Sequence, residues 1–148
     1  MSNPTFGEKL ENVSYQSRYG VYAIIPNQTK DKIVLVQAPN GSWFLPGGEI
    51  ENTESHLEAL ERELLEELGF SAKFGQYYGQ ADEYFYSSHR DTHFYNPAYL
   101  YEITSYTILG KPLEDFNRIS WFSLEEAKKK LKRGSHIWGV EAWEKNHK

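Results

Sequence analysis

The stretch from Ser55 to Gly69 limits this chain more than any other, because it reads as a capped helix whose two faces make different demands. Ser55 stands where an N-cap belongs, and Glu58, three residues on, completes a capping box. Gly69 falls where a C′ glycine closes a helix, with Phe70 as the apolar contact after it. At roughly 100° per residue, Leu57, Leu60, Leu64 and Leu68 make one narrow apolar stripe, which predicts a core face. Glu63, Glu66 and Glu67 make a second face at i, i+3 and i+4, where like charges repel. Glu66 and Glu67 also lie near the helix C-terminus, where the dipole disfavours negative charge. Two local rules are broken with no internal compensation. A bound divalent cation repairs both, since hard ions such as Mg²⁺ take carboxylate oxygens and bring substrate phosphates with them.

The charge of the whole chain follows from this segment. Between Glu49 and Glu67 there are eight acids and one base, Arg62, so the segment carries −7. Elsewhere 13 acids face 15 bases, a balance of +2, and the total is −5. A negative chain argues against coating of nucleic acid, whose binders carry a basic surplus. At 148 residues the chain is expected to fold as a single domain, 1–148, burying roughly 70% of its unfolded surface. Its 39% hydrophobic and 16% aromatic content excludes a disordered chain. With no cysteine, a disulfide framework, a thiolate zinc site and a cysteine nucleophile are excluded. No apolar run approaches the roughly 20 residues that cross a bilayer, and Met1 to Gln16 lacks the apolar stretch of a signal peptide. No membrane association is expected, and the default location is cytoplasmic. Oligomeric state is not legible.

Along the chain, residues 19–25 read as a buried strand stopped by Pro26, and Lys32 to Gln37 as a second. The turn residues between and after them (Asn27 to Asp31, then Pro39-Asn40-Gly41) predict that these two strands pair. Trp43 to Leu45 is a short extended piece, broken by Pro46-Gly47-Gly48. After the helix come expected strands at 71–78, 83–87, 98–104 and 119–122, with a polar loop at 88–96. Ser123 caps a second helix reaching about Leu131, with Glu126 at the capping-box position, and 136–146 is read as a short further helix. This order fits a mixed α/β or α+β sandwich.

Just upstream of the acidic helix, Gly47-Gly48 lets backbone approach a ligand or metal closely. Alone, the pair is an ordinary turn, and Arg62 alone would pair with Glu58 at i−4. Together the residues form a pattern. Gly48, five residues, Glu54, seven residues, then Arg62-Glu63-Leu64-Leu65-Glu66-Glu67-Leu68-Gly69-Phe70 resembles the Nudix box, Gly-x5-Glu-x7-Arg-Glu-U-x-Glu-Glu-x-Gly-U, where U is a bulky aliphatic residue. Nine positions across residues 48–70 are fixed or restricted; every fixed one matches, and Phe70 is aromatic at the last U. The lead-in Trp43-Phe44-Leu45-Pro46-Gly47-Gly48-x-x-Glu51 resembles MutT-like members, although Thr53 stands where many relatives carry Gly. The resemblance covers roughly residues 17–132 and implies an α/β/α sandwich with a mixed sheet.

It also implies a metal-dependent pyrophosphohydrolase, in which water attacks phosphorus in a nucleoside diphosphate joined to another group. Carried over by position, Glu63, Glu66 and Glu67 are the ligands of Mg²⁺ or Mn²⁺, and the carbonyl of Gly47 or Gly48 is a further candidate. Arg62 orients the glutamates and Glu54 pairs with it. Glu63 or Glu66 is a candidate to act on the attacking water. Some members draw the base from a loop ahead of a Trp-x-x-Leu segment, which Trp121-Phe122-Ser123-Leu124 resembles; Glu114 and Asp115 lie in that loop, with loop solubility as the plainer reading. Oxidised nucleoside triphosphates, dinucleoside polyphosphates, ADP-ribose and nucleotide sugars all stay open as substrates.

Three further stretches read as structural first. Ser88 to Asn96 is a hairpin loop, with Arg90 or a histidine reaching phosphate as the alternative. Tyr84, Phe85, Tyr86, Tyr99 and Tyr101 are core positions of strands, with base stacking as the alternative. Lys128 to Arg133 is a solvated basic face opposite Leu124, Ala127 and Leu131. Two rivals to the enzyme are a catalytically silent Nudix-fold binding or regulatory domain, which an intact motif opposes, and an acidic docking helix, which leaves the glycines and Arg62 unexplained.

Overall fold

The computed structural model describes residues 3–114 and 117–147. Its elements run β1 (Thr5–Phe6), β2 (Gln16–Ser17), β3 (Gly20–Ile24), β4 (Lys32–Gln37), β5 (Trp43–Phe44), β6 (Gly47–Glu49), α1 (His56–Leu68), β7 (Phe70–Ser87), β8 (Thr92–Ile108), β9 (Arg118–Ser123), α2 (Leu124–Lys130) and α3 (Gly134–Asn146). A six-stranded mixed sheet has the order β1-β7-β8-β3-β6, with β2 also on β8; a three-stranded antiparallel sheet has the order β5-β4-β9. The long antiparallel hairpin β7–β8 supports the larger sheet, and β3 runs parallel to β8 but antiparallel to β6.

β3 and the Ile33–Val36 centre of β4 are buried on both faces, the pattern of a sandwiched strand. Val21, Ala23, Ile25, Val34 and Val36 pack with Ala59, Leu60, Leu64 and Leu68 of α1. The alternate residues Tyr22, Ile24, Ile33 and Leu35 pack with Ala127 and Leu131 at α2 and Val140 and Trp143 of α3. Helix, sheets and helices thus form the expected mixed α+β sandwich.

The structure corrects several sequence expectations. β3 and β4 do not pair as one hairpin: they belong to different sheets and touch through the isolated bridge Pro26↔Ile33 and the Val34 N–H donating to the Ile25 carbonyl at 3.2 Å. The turn at Pro39-Asn40-Gly41 instead joins β4 to β5, pairing Val36 with Phe44. The two strands expected at 71–78 and 83–87 are one, β7, whose register shifts near Phe74, Tyr77 and Gly79 absorb the apparent break. The expected loop 88–96 shrinks to a turn before Thr92, and Asn96 is fully buried within β8. Leu57 is 41% exposed. The covered face of α1 is rotated toward Ala59, which carries Glu63 and Glu67 inward and turns Leu57 out.

Candidate functional site

α1 begins and ends as its sequence dictates. The Ser55 Oγ accepts from the Glu58 N–H at 3.1 Å, the Ser55 N–H donates to the Glu58 carboxylate at 2.9 Å, and Gly69 closes the helix at φ +71°. Glu58 is therefore engaged by the cap, and Arg62 turns to other partners. Its Nε and Nη2 grip both oxygens of Glu54 at 2.8 and 2.9 Å, and Nη2 donates to the Glu49 carbonyl at 3.0 Å. Nη1 reaches Glu63 at 2.9 Å and Glu66 at 3.5 Å. This two-pronged grip on Glu54 is a geometry that lysine does not reproduce. It holds the Glu54 carboxyl down at about 2, first through the Arg62 hydrogen bonds and then through the Glu51 N–H.

The backbone of β6 faces the acids. Gly47, at φ +140°, donates its N–H to Glu67 Oε1 at 2.8 Å. A Cβ on Gly48 would stand 2.6–2.8 Å from the Glu63 carboxyl atoms, so the missing side chain is what lets the helix face close on the strand. Burial pushes the Glu63 carboxyl up to about 7 against the pull of Arg62, with Glu66 and Glu114 adding repulsion. Burial also holds Glu67 well above the ordinary carboxylate range, in spite of the Gly47 N–H. The loop after β8 docks here too. The Glu114 N–H donates to the Glu66 carbonyl at 2.9 Å, and burial, followed by Glu66, raises the Glu114 carboxyl.

The structure thus brings together Glu54, Arg62, Glu63, Glu66, Glu67, the Gly47–Gly48 backbone and Glu114. Asp115 lies outside the described residues. The other candidates disperse. Arg90 lies over the Phe94 ring, and His93 packs against Tyr86. Tyr99 and Tyr101 are half-buried and pack against the α1 side of the core, Tyr84 and Phe85 are half-buried, and Tyr86 is exposed. Tyr99 and Tyr101 gather around His56, whose Nδ1 lies 2.9 Å from the Tyr101 hydroxyl. Of the basic run, Lys128 pairs with Glu144 at 3.0 Å.

Beside Gly47, Gly48 and Glu67 opens a cleft of ≈ 180 Å³, whose walls include Tyr22, Phe44, Arg18 and Arg133. Behind it His136 is fully buried; its Nδ1 accepts the Leu45 N–H at 3.0 Å and its ring lies 4.3 Å from that of Tyr22. Sequence reasoning missed Arg18 and His136, which no spacing links to the motif, and it set Arg133 on a solvated basic face, whereas Arg133 is half-buried against Phe44 and Phe85. The only local signal was the Arg133-Gly134 break between two helical patterns.

Among the described residues, no three acid or histidine side chains already stand as a cage for an ion. Arg62 and the Gly47 N–H each occupy carboxylate oxygens that a cation would share. The donor chemistry nevertheless fits a hard cation: oxygen donors only, on one helix face. Burial makes Glu63 and Glu67 favour a bound positive charge, a proton in its absence.

This arrangement agrees with comparison to known proteins. The NUDIX domain pattern matches residues 16–140, and the chain belongs to the Nudix family. The solution structure of the Escherichia coli ORF135 protein superposes with a TM-score of 0.67 at 27% identity, covering 90% of this chain and 92% of that one. The MutT Nudix hydrolase of Burkholderia pseudomallei superposes at 0.63 and 27% identity, over 86% and 98%. By sequence, the chain is similar to the CTP pyrophosphohydrolase of E. coli K12 (47% identical over 51 residues, 31% of this chain and 38% of that protein). It is also similar to the 8-oxo-dGDP phosphatase NUDT18 of Danio rerio, 42% identical over 59 residues, 37% of this chain and 18% of that protein. The matched stretch thus spans less than half the length of these curated relatives. Among the described residues, no helix is long and apolar enough to cross a membrane.

Proposed function

We propose that this chain, acting as one domain, is a metal-dependent pyrophosphohydrolase that cleaves a diphosphate linkage in a small nucleoside diphosphate derivative. One observation carries the reading. Glu67 accepts from the Gly47 N–H, Glu63 closes on Gly48, and Arg62 is the one base that ties Glu63 to Glu66 among the described residues. The names of the sequence relatives, a CTP pyrophosphohydrolase and an 8-oxo-dGDP phosphatase, support nucleotide substrates.

Glu63, Glu66 and Glu67, with the Gly48 carbonyl, would hold Mg²⁺ or Mn²⁺. Such an ion supplies neutralisation of the diphosphate charge and an in-line alignment of water and leaving group. The protein's own residues set the rest. Arg62 is locked by Glu54 and the Glu49 carbonyl, so its remaining N–H groups hold Glu63 and Glu66 beside each other on α1. Burial raises Glu63 and Glu114 in the metal-free protein; with Glu63 bound to the ion, Glu114 is the raised carboxyl left free to take a proton from water.

The test is phosphate release from a nucleotide panel with Mg²⁺ or Mn²⁺, for the wild type and Glu66→Gln. The substitution keeps shape and removes charge, and a loss of at least about 100-fold is expected, the scale for removing one charge-stabilising group. Absence of turnover on every nucleotide, together with no rise in melting temperature on adding metal, overturns the reading.

A further inference from the structure

The acidic half of the site leaves a question of charge. A diphosphate brings its own negative charges, and Arg62 is already committed to Glu54, Glu63 and Glu66. A cation free to meet the substrate has to come from elsewhere on the cleft. Two arginines line it. Arg18 keeps a long contact of 3.9 Å with Glu49. Arg133 has no carboxylate within 4.0 Å among the described residues, yet it is half-buried.

Its surroundings are built to hold it. The guanidinium carbon lies 3.9 Å from the centroid of the Phe85 ring and 4.9 Å from that of Phe44. Stacking of this kind leaves the rim of the fork, where the N–H groups are, as the reactive part. Nη1 donates to Asn96 Oδ1 at 3.3 Å. Asn96 is itself fully buried, and its Nδ2 donates to the Arg18 carbonyl, so one side chain ties the two arginines together. Glu83, an acid on this wall, accepts the Ser135 N–H at 2.9 Å through one oxygen and makes no ion pair with Arg133 within 4.0 Å. A second cavity of ≈ 270 Å³ shares Phe44 and Arg133 with the first and adds Phe85, His89 and Lys132. Arg133 therefore stands in the partition between two compartments, one of which opens on Gly47, Gly48 and Glu67.

We infer that Arg133 is a substrate-phosphate clamp, donating from its fork to the diphosphate across the cleft from the acidic face of α1. It is a binding residue for the anion and Asn96 is its positioning residue. The inference rests on the reading of the Glu63–Glu67 face as the side that handles the diphosphate. A half-buried guanidinium held against two rings, with no carboxylate within ion-pair distance among the described residues, bears a desolvation cost that a phosphate offsets. Its planar fork matches two oxygens of one phosphoryl group. The outer compartment then receives whatever the diphosphate carries on that side.

The experiment measures binding without turnover. ADP, GDP, CDP and UDP are titrated against the protein in EDTA by calorimetry, and the tightest is repeated with Arg133→Ala and with its parent nucleoside. Expected is a loss of affinity for the diphosphate of at least about 10-fold, the scale of one charged hydrogen bond, with nucleoside affinity within about 2-fold of wild type on the same scale. In steady-state assays with metal the change falls on KM, with kcat within about 3-fold. If Arg133→Ala loses its cooperative melting transition, Arg133→Met, which keeps the stacked stem, carries the same expectation. Undiminished diphosphate binding overturns the inference. So does an equal loss of nucleoside binding, which makes Arg133 a base contact, and so does failure of all four diphosphates to bind the wild type. A protein that binds through Arg133 but hydrolyses nothing sinks the hydrolase reading and leaves this one standing.

Discussion

Gly47 and Gly48 are glycines for different reasons, and the difference can be measured. Gly47 sits at φ +140°, where an L side chain is strained, and a Cβ there would approach the backbone of Tyr22 to 2.7 Å. Neither obstacle moves, so Gly47→Ala is expected to destabilise the fold by about 1–3 kcal/mol. At Gly48 the added Cβ meets only the tip of the Glu63 side chain. That carboxyl swings away at little cost in stability, but it leaves the place proposed for metal. Gly48→Ala should therefore melt within a few degrees of wild type and lose its stabilisation by Mg²⁺; an unchanged Mg²⁺ response would separate Glu63 from the metal. The doublet alone did not distinguish the two roles, because φ and the approach of a neighbouring helix are set by tertiary structure. Spacing did identify the carboxylates as one face. Helix spacing alone pairs Arg62 with Glu58; the motif resemblance named Glu54 instead, and the structure supplies the reason, the Ser55 cap drawing Glu58 away.

At the scale of elements, periodicity located α1 and its caps within a residue, because the capping box and the αL glycine are local devices. It misjudged which way the helix is turned. Leu57 satisfies the leucine stripe yet faces solvent, and Ala59 is buried instead. The turn of α1 toward β6 leaves one leucine exposed and brings Glu63 and Glu67 against the Gly47–Gly48 backbone. Two substitutions separate these contributions. Leu64 is fully buried among Val21, Ala23 and Val36, so Leu64→Ala should cost about 2–5 kcal/mol. Leu57→Ala should cost well under about 1 kcal/mol, as surface changes do. Chemical denaturation of both variants checks this; equal losses would mean that the helix packs as the stripe alone suggested. The strands were less legible for a related reason. β7 keeps one ladder through its register shifts, and bulges read locally as ends.

For the molecule as a whole, two sets of buried groups pull its stability in opposite directions with pH. His136 is fully buried and burial holds its pKa well below 6.5, so the native state keeps it neutral, with Nδ1 accepting from Leu45. A group whose folded pKa is depressed contributes stability that is present above its unfolded value and is lost as pH falls. His136 thus weakens the fold progressively below about pH 6.5. Glu63 and Glu67 do the reverse. Their folded pKa values are raised, Glu63 to about 7, so their contribution is complete below the unfolded value of 4.5 and is lost as pH rises through neutrality. In EDTA the melting temperature should therefore peak on the acid side of neutrality and fall toward pH 8. On the proposed reading Mg²⁺ would replace the protons on the acidic face, so adding it should restore stability mainly at pH 7 and above and do little at pH 5. Glu67→Gln, which keeps the Gly47 contact without the charge, should flatten the alkaline fall in EDTA. His136→Gln should flatten the acid one. A Mg²⁺ effect of equal size at pH 5 and pH 8 would show that the ion does not compete with protons for these carboxylates, and that its site lies elsewhere. The acid half of the profile depends on a helix that carries none of the motif. Where α3 closes the second face of the sheets, His136 is set behind the same loop that presents Gly47 and Gly48, so the fold and the site titrate together.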